Sequence, residues 1–134
     1  MSEKLNARTF EKGPLVYEVY RLIDYDTQPD ELIDSGRYED ADPARVEKYK
    51  KEDAARLKSF QDEWNYLGVC CDIRIKTATN WAVPHKVGSA SLWGIESDSG
   101  EAYFAQVEAE MIAEAEADLE KTIAALAGIT AGEA

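Results

Sequence analysis

The run VCCDIRIKT (69–77) puts Val69, Cys71, Ile73 and Ile75 on one side of an extended chain and Cys70, Asp72, Arg74 and Lys76 on the other. That period of two belongs to a strand with one face buried and one wet, so the chain must build a sheet around it. After the loop ATNWAVPHKVG, the segment SASLWGI (89–95) supplies an antiparallel partner. LVYEVYRLID (15–24) is rich in Val, Tyr and Ile, which favours a further strand. Its Leu15, Val16, Val19, Tyr20, Leu22 and Ile23 also fit a helical stripe. Within SASLWGI, Trp93 falls in phase with Val87 and Ile95 and reads as a core residue, with an exposed aromatic anchor as the alternative. Leu92 falls with the small residues Gly88, Ala90 and Gly94, over which a helix can cross closely.

Two helices complete the pattern. Asp42-Pro43 reads as a helix start, because Asp accepts free first-turn amides and proline fits the first helical position. That helix is expected to run to about Glu63, with Val46, Tyr49, Leu57, Phe60 and Trp64 as its stripe and a mixed-charge outer face. The second follows ESDSG, where Asp98 or Ser99 is placed to cap it and Asp98 with Glu101 has capping-box spacing. Phe104, Val107, Met111, Ala115, Leu119, Ile123 and Leu126 recur at steps of three or four and predict a face lying on the sheet. Gly128 is expected to end it. The fold class is therefore α+β: a small antiparallel sheet of about three strands with two main helices packed on it. One domain spans 1–134, with 1–13 as a loose arm and 128–134 as a frayed tail; a chain of 134 residues buries roughly two thirds of its unfolded surface.

Charge is what sets this chain apart. Its formal net charge is −12, a field that repels nucleic acid and anionic membrane and attracts basic surfaces. From Val87 onward there are ten acids and one base, Lys121, whereas the first 86 residues hold seventeen acids and fourteen bases. A second acidic stretch, Asp24 to Asp42, has eight acids against Arg37 alone. In the last helix Glu110, Glu114 and Asp118 repeat at four-residue steps, as do Glu116 and Glu120, and like charges at that spacing destabilise a helix by about 0.2–0.5 kcal/mol per pair. A row of carboxylates rising about 6 Å per step imitates successive phosphates of a nucleic acid. The plainer account is an acidic face that keeps the chain in solution.

EWNYLGVCCDIRIKT, ASLWGIESDSGEAYF and the acidic helix after them resemble a family of small uncharacterised phage and prophage proteins. The likeness runs from about Glu63 to Leu126 and rests on Trp64, Gly68, Leu92 to Gly100 and Tyr103. It implies a setting and no reaction: small acidic phage proteins often act on host machinery, some by imitating DNA. The expected function is noncovalent, an inhibitor or modulator offering Glu108, Glu110, Glu114, Glu116, Asp118 and Glu120, with Asp30, Glu31, Asp34 and Trp81, to a basic surface of a host nucleic-acid-binding protein. The alternative is a phage structural or assembly protein that binds through aromatic and sheet-edge contacts.

Other functions find little support. His85 is the lone histidine, and no nucleophile stands at a recognisable spacing from it. Gly-x-Ser-x-Gly and phosphate-binding loops are absent. Adjacent Cys70 and Cys71 serve zinc poorly, and a bridge between them would be strained, so both are expected to be reduced thiols. DYDTQPDELIDS begins like a calcium loop, but Pro29 stands where glycine makes the turn and Ser35 where a bidentate Glu is needed. No catalytic residue, cofactor or metal is assigned. Neither a signal peptide nor a run of about 20 apolar residues is present, so the host bacterial cytoplasm is the expected compartment and no membrane contact is expected.

Overall fold

A computed structural model of the chain describes residues 3–29, 42–76 and 85–132. Four strands, β1 (Leu5–Lys12), β2 (Leu15–Ile23), β3 (Tyr66–Ile75) and β4 (Gly88–Glu96), form one antiparallel sheet in the order β1-β2-β3-β4. Among the described residues they are accompanied by two long helices, α1 (Pro43–Ser59) and α2 (Glu101–Gly132). The fold is α+β, with one strand more than the sequence pattern indicates.

That extra strand is β1, in place of the expected loose arm. The turn at Gly13-Pro14, with Gly13 at φ +57, folds Lys12 back against Leu15, and Phe10 stacks on Tyr17 with ring centroids 4.7 Å apart. The polar composition of β1 hides it because only Leu5 and Phe10 are partly covered. β3 lies at the centre and is buried from Tyr66 to Ile73, so neither of its faces is wet there. Its polar side is closed by an internal network: the Tyr20 hydroxyl donates to Asp72 at 2.7 Å, and Lys86 and Arg74 stand 3.4 and 3.8 Å from the same carboxylate. Cys70 and Cys71 are free and buried in the same strand, and burial pushes the Cys71 thiol up to about 11.

α2 covers the other side of the sheet. Phe104, Val107, Met111 and Ala115 are buried against Tyr17, Val19, Leu67, Val69, Cys71, Ile73 and Ile95. Each large side chain removed from water this way contributes about 1.5–3 kcal/mol. The stripe then outruns the sheet. Leu119 is half-buried, whereas Ile123, Leu126 and Ile129 are about 60% exposed. Gly128 does not end the helix, which continues to Gly132, so the expected frayed tail is helical over 128–132. Nor do Asp98 and Ser99 cap its start: the Asp98 carboxylate is held by Arg56, and the Ser99 hydroxyl donates to the Glu96 carbonyl.

α1 begins as expected, with the Asp42 carboxylate accepting from the Ala44 amide. It stops at Ser59, short of Glu63, because Gln61 takes φ +75 and the chain turns back to pair Phe60 with Trp64. None of its residues is buried, so the expected stripe does not pack as a core face. Trp64, just beyond the helix, is buried and donates its indole N–H to the Arg56 carbonyl and the Ser59 hydroxyl. Arg56 stacks 3.7 Å over the Trp64 ring and bonds both Glu96 and Asp98.

Two glycines test this packing in opposite directions. A Cβ on Gly88 would stand 2.6 Å from the Ala115 carbonyl oxygen and 3.0 Å from the Leu119 Cβ, while one on Gly128 would meet nothing within 4 Å. Gly88→Ala is expected to lower stability by about 1–3 kcal/mol, and Gly128→Ala to raise it by about 0.5–1 kcal/mol. Urea midpoints of the two variants measure both.

Candidate functional site

The six acids expected to form one ladder on α2 divide between its two flanks. On the flank toward β1 and β2, Glu108 lies 3.6 Å from both Arg8 and Arg21, and only 12% of its side chain is exposed. Glu116 accepts the Tyr17 hydroxyl at 2.7 Å and Lys12 at 3.2 Å. The Tyr17 hydrogen bond, with Lys12 beside it, holds the Glu116 carboxyl below its usual range, and burial together with Glu116 pushes the Tyr17 phenol up to about 12. These two acids are neutralised from within the molecule, which removes them from the expected partner-binding set.

Their role there is local. Arg21 is buried, 4.1 Å over the Phe104 ring, with Glu101 and Glu108 as its counter-charges. A buried guanidinium left without such partners costs several kcal/mol, so Glu101 and Glu108 are part of the price of closing α2 over the sheet. Arg8, Lys12 and Arg21 carry the sequence signal for this pairing, which becomes legible only once 1–13 forms a strand beside β2.

On the opposite flank, toward β4, stand Glu110, Glu114 and Asp118. All three are exposed, and none pairs with a Lys or Arg among the described residues. Glu110 accepts the Gln106 amide at 3.3 Å, and Asp118 accepts the backbone N–H of Ser89 on the edge strand at 3.0 Å. Glu120 is exposed further round the helix. The acidic surface is therefore a row of three, and Glu120, one turn after Glu116, lies off it.

Trp93 is the second feature. The expected core position is not observed: the side chain is 46% exposed. The cause is a β-bulge. Val69 pairs with Leu92 and Leu67 with Ile95, so Trp93 and Gly94 together oppose Gly68, and the extra residue reverses the alternation. Trp93 lies across Gly68 on the side of the sheet away from α2, and a Cβ on Gly68 would stand 2.2–2.6 Å from three of its ring carbons. Its indole N–H donates to the Ser91 hydroxyl at 3.1 Å. The glycine after Trp93 inside a strand was the available sign of a bulge.

Asp24 locks this bulge. Its buried carboxylate accepts from the amides of Asp26, Thr27 and Gly94 and from the Thr27 hydroxyl. Burial opposes its charge, but the donors of Thr27, Asp26 and Gly94 outweigh it and hold the carboxyl below its ordinary range. Gly94 takes φ +75, a conformation glycine adopts without strain. Asp24 is thus consumed by the fold, which leaves the calcium-like spacing of DYDTQPDELIDS without its first ligand.

Asp30, Glu31, Asp34 and Trp81 lie outside the described residues. His85 is exposed. Among the described residues no group of three or more His, Cys, Asp or Glu side chains is arranged to hold a metal, and no helix is long and apolar enough to cross a membrane. Comparisons with protein-family models, curated proteins and solved structures find no match to this chain.

The lowered carboxylates set the acid response. Asp24, Asp98 and Glu116 all have folded pKa values below their ordinary ones, Asp98 through its hydrogen bond to Arg56. Their stabilisation is complete above the unfolded carboxylate range and is lost as pH falls through the folded values. Urea midpoints are expected to be level from about pH 6 to 8 and to fall below about pH 4. Asp24→Ala removes four hydrogen bonds and is expected to cost about 2 kcal/mol at neutral pH, with a shallower acid decline than the parent.

Proposed function

We propose that this chain is a noncovalent binding protein whose α2 flank, Glu110, Glu114 and Asp118, occupies a basic groove built for nucleic acid. The observation that carries this reading is that Glu110, Glu114 and Asp118 form no ion pair with any Lys or Arg among the described residues, Lys121 one turn beyond Asp118 included, while Glu108 and Glu116 on the other flank are both matched. Intramolecular ion pairing accounts for one flank and leaves the charge of the other uncompensated. Steps of four residues on a rigid helix place the charges about 6 Å apart along its axis, and a groove that neutralises phosphates with Lys and Arg engages carboxylates by the same salt-sensitive attraction. The resemblance to small phage and prophage proteins supports a host nucleic-acid-processing or defence protein as the partner.

A second reading, a phage assembly component, is favoured by one observation: Trp93 and Leu92 are both substantially exposed on β4, an edge strand. The two readings differ in their response to salt. Charge-driven capture weakens as salt rises, whereas aromatic and edge contacts persist in about 1 M salt.

Glu110→Lys combined with Glu114→Lys touches no bond to the sheet, so the urea midpoint is expected to stay within about 0.5 kcal/mol of the parent. Capture of a basic partner from bacterial lysate is expected to disappear, and duplex DNA is expected to compete with the parent for that partner. Capture undiminished by the double reversal refutes the reading.

A further inference from the structure

We propose that Trp93 and the hollow beside it form a binding site for a guanidinium group, presented as an arginine side chain by a partner. This site lies away from α2 and does not depend on the role assigned to the acidic flank. Ile23, Asp24, Tyr25, Asp26, Thr27 and Trp93 line an open hollow of about 410 Å³. Tyr25 is 69% exposed and Trp93 46%. Among the described residues the hollow therefore has two aromatic side chains, two acids and no base.

The two acids are not equivalent. Asp24 already accepts four hydrogen bonds, which accounts for its charge. Asp26 contributes only its backbone amide to that turn, and its carboxylate has no partner among the described residues. An aromatic face beside a free carboxylate in a strongly acidic molecule attracts a flat cation: the ring quadrupole meets the charge, and the carboxylate takes its N–H groups.

The molecule builds the same arrangement twice for its own use. Arg56 stacks 3.7 Å over Trp64 while its N–H groups bond Glu96 and Asp98. Arg21 stacks 4.1 Å over Phe104 between Glu101 and Glu108. Trp93 with Asp26 has the ring and the acid and, among the described residues, lacks only the cation. The ring is also held in place by its surroundings. Gly68 is left bare beneath it, Gly94 carries the left-handed turn, and buried Asp24 pins that turn. A rigid exposed ring of this kind loses little freedom on binding, which is the property of an anchor.

The test titrates the intact chain with three blocked tripeptides, Gly-Arg-Gly, Gly-Lys-Gly and Gly-citrulline-Gly, and follows the Trp93 indole N–H by NMR, assigned by its loss in Trp93→Leu. Citrulline keeps the flat shape of arginine and removes its charge. The arginine peptide is expected to shift the Trp93 signal saturably with a Kd in the millimolar range. Lysine is expected to bind about threefold more weakly and citrulline at least about tenfold more weakly. Asp26→Asn is expected to weaken arginine binding about fivefold, whereas Glu110→Lys with Glu114→Lys leaves saturation at Trp93 in place. Equal binding of citrulline and arginine overturns the proposal. So does a Trp93 signal that does not move at tens of millimolar peptide, or arginine binding at Trp93 unchanged in Asp26→Asn.

Discussion

The structure depends on how closely α2 approaches the sheet. At Gly88 the Ala115 carbonyl comes so near that no side chain fits between them, and the neighbouring Phe104, Val107 and Met111 fill the face formed by β2, β3 and β4. Contact at that distance fixes the rotation of the helix about its axis, because only the Ala115 side is small enough to lie there. Once the rotation is fixed, the destination of every acid on α2 is fixed too. Glu108 and Glu116 are carried over the bases of β1 and β2, and Glu110, Glu114 and Asp118 are carried to the opposite side.

An excess of acid on one element thus has two origins. Part of it balances bases that the sheet brings under the helix, most of all Arg21, which is buried against Phe104 and would be costly without Glu108. The remainder has no such purpose among the described residues, and it is this remainder that a functional account must address. Net charge alone did not separate the two portions. Position on the helix does, since Glu108 and Glu110 are two residues apart and meet opposite surroundings.

Much of the architecture was legible. The alternation in 69–77 and the three-four stripe of α2 each identified an element, because burial on one side imposes a period that survives in sequence, while 15–24 favours a strand by content but also fits a helical stripe, and only the pairing of β2 with β1 and β3 decides it. β1 was not legible, since an edge strand that covers only Leu5 and Phe10 leaves no alternation to read. Trp93 was misread for a related reason: periodicity assumes uninterrupted pairing, and the two-for-one bulge opposite Gly68 reverses the face. Asp98 shows a third kind of limit. Its local spacing suited a helix cap, but Arg56, 42 positions away in sequence, claims it. Likewise the role of Asp24 rests on Gly94, which only the folded sheet brings within reach.

The far turns of α2 carry a consequence for how copies of this chain behave in solution. Ile123, Leu126 and Ile129 project past the sheet along a stretch, Thr122 to Gly132, that contains no ionisable residue. Elsewhere the surplus negative charge holds neighbouring molecules apart over a distance of about 10 Å at 0.1 M ionic strength, and far less at 1 M. Added electrolyte therefore shortens the repulsion without weakening the greasy contact, so this chain disperses best in dilute buffer and grows more self-adhesive as the buffer is made more concentrated.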